Sequence, residues 1–220
     1  FRASLALADP PAVGSLLQLN ASIEACDQPN VRTGRVAAVT SRAIVVTDTA
    51  NPAGGFSDAE FREVGLAFDT LVYPVDTQAF GEPTDIDANG RTILFFTREV
   101  NELTEDLDAG FVGGFFYSRD LFPRADNEEF EGCPGSNFAE MFYLLAPDPT
   151  GVVNGNEFSK DFVLENTVGT VAHEMQHLIS AARRLYVIGT ENFDEAVWLN
   201  EGLSHIAEEL VFYRASGLAR

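Results

Sequence analysis

The chain has 220 residues, with 34 Asp and Glu against 14 Lys and Arg, a formal charge of −20 at pH 7. An excess of negative charge on this scale repels phosphate backbones and anionic lipid, which argues against nucleic-acid binding and against electrostatic docking to membranes. Apolar residues make up 45% of the chain, enough to core one compact domain with or without a small appendage, and no apolar run approaches the roughly 18–20 residues that span a bilayer.

Lys160 is the only lysine, so Arg supplies nearly all the positive charge. That bias suits work outside the cell or in a salty medium, and an arginine-rich genome would produce it too. Cys26 and Cys133 are far apart and neither belongs to a CxxC pair. They read as one long-range disulfide formed in an oxidising compartment, or else as two unrelated buried thiols. The chain opens on Phe1, which is consistent with a leader removed from a secreted protein or with trimming.

Residues 1–30 show no clear period and carry Pro10, Pro11, Gly14 and Pro29; irregular structure or a short strand is expected there. Two β-branched runs within Val31 to Thr47, broken by Thr40, Ser41 and Arg42, predict a hairpin. The turn from Asn51 to Gly55 closes a β-rich segment, 1–55, which could be an accessory or prodomain-like unit ahead of a main domain over 56–220. Ser57 and Glu60 form a capping box for a helix reaching Tyr73, with Pro74 as its stop. After an acidic loop to Gly90, Ile93 to Phe96 read as a strand in the middle of a sheet. Phe111 to Tyr117 predict a strand or hairpin with glycines for close approach, and Phe138 to Leu145 a further strand. Two helices follow, about Asp161 to Leu185 and Glu195 to Ser216. Strands first and long helices last argue an α+β fold.

The chemistry concentrates in the first long helix. His173-Glu174-Met175-Gln176-His177 is an HExxH, and its four-residue spacing puts both imidazoles on one helical face, one turn apart, where they can share a tetrahedral Zn²⁺. Only three His exist in the chain, and two fall at this spacing. Glu174 sits beside the first ligand and can reach water at the metal instead of the metal itself. A catalytic zinc needs a third protein ligand. Glu201, opening the next helix, is the natural one, with His205 one turn on as its rival.

HEMQH followed by WLNEGLSHIAEE over Trp198 to Glu209 resembles the gluzincin metallopeptidases, most closely the hyicolysin-type bacterial neutral metalloproteases. The likeness is strongest over Thr167 to Glu209 and extends more weakly to the segments Thr84 to Phe96 and Ser136 to Tyr143. It implies a zincin-like fold, in which a twisted mixed sheet packs on the active-site helix and a second helix carries the glutamate ligand. It also implies a secreted zinc endopeptidase acting on protein or peptide substrates, expected here as a monomer. His173, His177 and Glu201 would be the zinc ligands and Glu174 the base that takes a proton from water and hands it to the departing amine. The likeness implies, too, an edge strand that pairs with extended substrate; Asn137 to Phe142 is the candidate, with Asn137 and Ala139 as its site residues.

Three departures qualify the likeness. His205 stands where thermolysin-like enzymes have an acidic residue bonded to the first His, so that carboxylate must come from Asp194, Glu195, Glu208 or Glu209, with His205 close by. No His follows His205 to stabilise the transition state, and Tyr186 is the substitute candidate. The chain also stops soon after the ligand helix, so the architecture is either minimal or missing a C-terminal lobe. Separately, Asp85-x-Asp87-x-Asn89-Gly90 carries half of a calcium loop, with Phe96 rather than Glu at position twelve; it reads as an acidic turn or as a structural Ca²⁺ site. Asn20-Ala-Ser22 fits a glycosylation sequon. A metal-stabilised binding or adhesion module without turnover is the alternative to an enzyme, and the presence of Glu174 favours the enzyme.

Overall fold

The computed structural model describes residues 9–24, 26–190 and 195–218. Among these residues six strands form one mixed sheet: β1 (Leu16–Asn20), β2 (Val31–Val39), β3 (Ala43–Asp48), β4 (Thr92–Phe96), β5 (Gly114–Phe116) and β6 (Met141–Leu144), in the spatial order β1-β2-β3-β4-β6-β5. β1, β2 and β3 run antiparallel as the predicted hairpin with one added strand, β4 pairs parallel with both β3 and β6, and β5 runs antiparallel to β6. All five residues of β4 are buried, as its unbroken apolar sequence requires of a strand with parallel neighbours on both sides.

The boundary expected at residue 55 therefore cuts through a single sheet. β3 and β4, on either side of it, pair along five residues, and the row Val36, Val46, Phe95, Tyr143 and Phe115 crosses it in register.

Among the described residues five α-helices accompany the sheet: α1 (Asp58–Ala67), α2 (Tyr73–Phe80), α3 (Arg98–Glu102), α4 (Lys160–Arg183) and α5 (Val197–Ala215). Ser57 caps α1 as expected; Glu60 N donates to its Oγ at 3.3 Å while Glu60 Oε2 accepts from Ser57 N at 2.6 Å. Pro74 does not stop this helix. A π turn over Phe68–Val72 links α1 to α2, and Tyr73 N donates to Phe68 O, five residues back. That wider turn brings the chain to Pro74 at the start of α2, where a missing N–H is tolerated. Val171, Met175, Leu178, Ile179 and Ala182 of α4 are buried in the core formed with the sheet.

Cys26 and Cys133 are joined in a disulfide. Beside it lies a polar network that ties β1 to the segment before β6. Fully buried Tyr143 presents its hydroxyl to Asp120 Oδ2 at 2.5 Å and accepts from Asn137 Nδ2 at 2.8 Å and an Arg119 guanidinium nitrogen at 3.0 Å. Asn20 belongs to this network: only 5% exposed, it donates Nδ2 to Gly135 O at 2.7 Å. The sequon is thus closed to a glycosylating enzyme once the chain has folded.

Candidate metal centre

Two packed helices build the centre. α4 starts on Ser159, whose side chain accepts from Phe162 N, and runs 24 residues with its apolar side toward the sheet. Its His173 and His177 emerge one turn apart toward α5, ring centroids 4.7 Å from each other. α5 packs against this face and brings in Glu201. Glu201 Oε2 lies 3.3 Å from His173 Nε2, and Oε1 lies 3.7 Å from His177 Nε2. Zn–N and Zn–O bonds of about 2.0–2.2 Å in a tetrahedron separate neighbouring ligand atoms by about 3.3–3.5 Å. Two imidazoles and a carboxylate at this spacing are a donor set that fits zinc. Burial is the main cause that lowers the pKa of His177, against the opposing influence of nearby Asn200. The neutral imidazole that a metal requires is thereby favoured.

Behind His173 stands Glu208, with Oε1 2.5 Å from His173 Nδ1 and 2.9 Å from His205 Nδ1. Residues 201, 205 and 208 recur at helical spacing, so one face of α5 presents all three. Glu208 is therefore the carboxylate beside the first His that the sequence left among four candidates. Glu195 ion-pairs with Arg184 instead, Glu209 is exposed, and Asp194 falls outside the described residues. His205 is mostly exposed and reaches the centre through Glu208. Among the described residues no such carboxylate serves His177, whose Nδ1 is buried without a hydrogen-bond partner.

Glu174 follows His173 in sequence, and one residue's rotation turns it away from α5 toward β5. There its Oε2 accepts from Phe116 N at 2.7 Å. Burial pushes its pKa up to about 7, against the opposing influence of His173 and of this backbone donor. Gly113 and Gly114 allow the approach: a Cβ on Gly114 would stand 2.8 Å from the Thr170 methyl of α4. A cleft of about 370 Å³ opens over the centre, lined by Phe115, Phe116 and Tyr117 on one side and by His173, His177 and Glu201 on the other.

Several expected site residues lie elsewhere. The edge strand beside the cleft is β5, because β6 sits between β4 and β5 and is an inner strand. Asn137 and Ala139 belong to the segment entering β6: Asn137 Oδ1 accepts from Asn20 N at 2.8 Å, and Ala139 N donates to Asp120 O at 3.0 Å. They hold β1 and the loop after β5 in place and do not line the cleft. Tyr186 is also displaced, since a π turn over Arg184–Ile188 alters the helical phase. Its hydroxyl donates to Leu121 O and its ring packs on Phe130 at 5.2 Å, in a separate cavity. Asp85, Asp87 and Asn89 occupy the loop before β4, away from the zinc-type centre; Asn89 Oδ1 accepts from Arg91 N at 2.7 Å. Sequence reasoning missed the Phe116 N–H, which as a backbone donor leaves no mark in side-chain identity.

No family model matches the chain. It is similar to neutral metalloprotease ShpI from Staphylococcus hyicus, with 28% identity over 156 residues that cover 70% of this chain and 31% of that protein. The chain thus spans about a third of the length of this relative. In this chain His173, His177 and Glu201 form one candidate metal-holding group.

Proposed function

We propose that the protein is a secreted, zinc-dependent endopeptidase of the gluzincin type with a zincin-like fold. The observation that carries this reading is the placement of both Glu201 oxygens opposite Nε2 of His173 and His177 at 3.3 and 3.7 Å, with Glu174 beside the same cleft. His173, His177 and Glu201 would hold the metal. A Zn²⁺ ion bound there supplies Lewis acidity, which polarises a carbonyl and acidifies water.

Glu174 supplies the proton transfer. Its carboxylate, held at the end of β5, accepts a proton from the attacking water and delivers it to the amine of the broken peptide bond. Glu208 fixes the His173 ring and strengthens it as a ligand. β5 pairs with β6 on one side only, so an extended peptide can add to its open edge, which brings a scissile bond along the cleft. Leu145 N donates to Gly113 O, which sets 113 and 115 toward β6 and leaves Gly114 facing that edge, while the Phe116 N–H on the same side is held by Glu174. Secretion is supported by the disulfide; among the described residues no helix is long and apolar enough to cross a membrane.

The test is Glu174→Gln. The variant should bind zinc and melt like the wild type while casein hydrolysis falls by about 10²–10⁴-fold, the usual share of a general base. Hydrolysis at the wild-type rate would refute Glu174 as the base. Inhibition of the wild type by 1,10-phenanthroline should follow the loss of zinc.

A further inference from the structure

A second cluster of metal-type donors lies outside the His173 centre. Asp85 and Asp87 sit in the loop between α2 and β4, and Glu140 immediately precedes β6. Each offers a carboxylate oxygen, and the three oxygens lie within 4.8 Å of one another. Glu140 is only 2% exposed. Its Oε1 accepts from Thr84 Oγ1 at 2.8 Å and from Ile86 N at 3.0 Å, whereas its buried Oε2 has no hydrogen-bond partner. An ionised oxygen held from water and left unpaired is costly.

The neighbouring cations are occupied elsewhere. Arg91 and Arg42 line the same cavity of about 210 Å³. Arg91 gives Nε to Thr40 O at 2.9 Å and a terminal nitrogen to Asn89 O at 2.8 Å, and Arg42 stacks over the Tyr73 ring at 4.6 Å.

We propose that Asp85, Asp87 and Glu140 bind a calcium ion that ties the loop before β4 to the chain entering β6. The donors are all oxygen, with no His or Cys among them, which selects a hard cation. Calcium takes oxygens at about 2.3–2.6 Å, so ligands on opposite sides of one ion stand roughly 4.6–5.2 Å apart. Three oxygens confined within 4.8 Å therefore fit one coordination sphere, and the cavity has room for water to complete it. Irregular coordination by two separate segments suits calcium better than magnesium, which demands a near-ideal octahedron. Asn89 and Gly90 organise the loop around the carboxylates: Asn89 donates N and Nδ2 to Asp87 Oδ1 and Oδ2 at 3.2 and 2.5 Å, and Gly90 N donates to Asp85 Oδ1 at 3.0 Å. This site does not depend on the peptidase reading.

The test uses the full chain loaded with one equivalent of Zn²⁺ in calcium-free buffer, with melting followed as Ca²⁺ or Mg²⁺ is added. Ca²⁺ at a hundredfold excess over its Kd should raise Tm by roughly 5–10 °C, with a smaller shift from Mg²⁺. Tb³⁺ should show luminescence sensitised by Tyr73, which lines the cavity, and Ca²⁺ should displace it. Glu140→Gln and Asp87→Asn should each lose both responses, and Glu140→Gln should melt above the wild type without Ca²⁺, because it removes the unpaired charge. An unchanged Tm on adding Ca²⁺ would overturn the proposal. So would a larger shift with Mg²⁺, or a calcium response that persists in both variants.

Discussion

Glu208 grips His173 from behind: its Oε1 lies 2.5 Å from Nδ1, the ring nitrogen turned away from Glu201. A carboxylate in this position fixes the tautomer that leaves Nε2 free for a metal and raises the basicity of the ligand. Glu208→Ala should therefore weaken zinc binding by about 10–100-fold, measured by competition with a chelating dye. His205→Ala should leave zinc affinity nearly unchanged, because His205 meets Glu208 and not the metal-facing nitrogens. Equal losses in the two variants would instead favour His205 as a ligand.

The donor that holds Glu174 is the N–H of Phe116, at the end of an edge strand where proline is tolerated. Phe116→Pro deletes that donor. A hydrogen bond to a charged group contributes about 1.5–3 kcal/mol, so kcat should fall by about 10–100-fold with zinc content intact. A change confined to KM would show that the bond serves substrate binding alone.

Tyr186 donates to Leu121 O and packs on Phe130, remote from the cleft. Tyr186→Phe should cost about 1 kcal/mol of stability in urea unfolding and leave kcat within a few-fold of the wild type. A loss of a hundredfold or more would restore it as a transition-state stabiliser.

Asp76 of α2 is fully buried, neither of its oxygens has a hydrogen-bond partner, and burial pushes its pKa up to about 8. The folded state therefore holds a proton that the unfolded state releases near pH 4. Its stabilising effect is complete below about pH 4 and is lost as pH rises through about 8. Asp76→Asn should flatten the decline in stability between pH 5 and 8, by an amount on the order of 3 kcal/mol across that window. Parallel wild-type and variant curves of Tm against pH would contradict this.

The Cys26–Cys133 bond spans 107 residues, so opening it frees a large loop in the unfolded chain. Replacing both cysteines by serine should lower stability by up to about 4–5 kcal/mol in the chain-entropy limit. Chemical denaturation of the two forms at equal zinc loading measures the difference.

The metal centre was legible to unequal depths. HEMQH could be read because one helix fixes the relation of its two imidazoles whatever surrounds it. Glu201 and Glu208 share a face of α5, but choosing among the acidic residues required the packing of α5 on α4, which no local pattern encodes. The edge strand was misplaced for a similar reason: the apolar run of β6 suits an inner or an outer strand, and strand order is set by the tertiary fold. β5, only three residues long and carrying Gly114, gives a weak signal of its own. Pro74 and Tyr186 were misread through π turns, which shift the helical phase without a distinctive composition. The acidic loop drew attention to Asp85 and Asp87, while Glu140 comes from a distant segment and was visible only as one residue of an apolar strand.

Zinc titration of the metal-free protein, with hydrolysis of an internally quenched peptide recorded at each addition, tests the zinc-peptidase reading most directly. Activity should rise in proportion to added Zn²⁺ and level off at one equivalent, and Glu201→Ala should abolish both the tight binding and the rise. One equivalent of tightly bound zinc with no hydrolysis of peptide or casein would contradict the reading and leave a metal-stabilised binding module in its place.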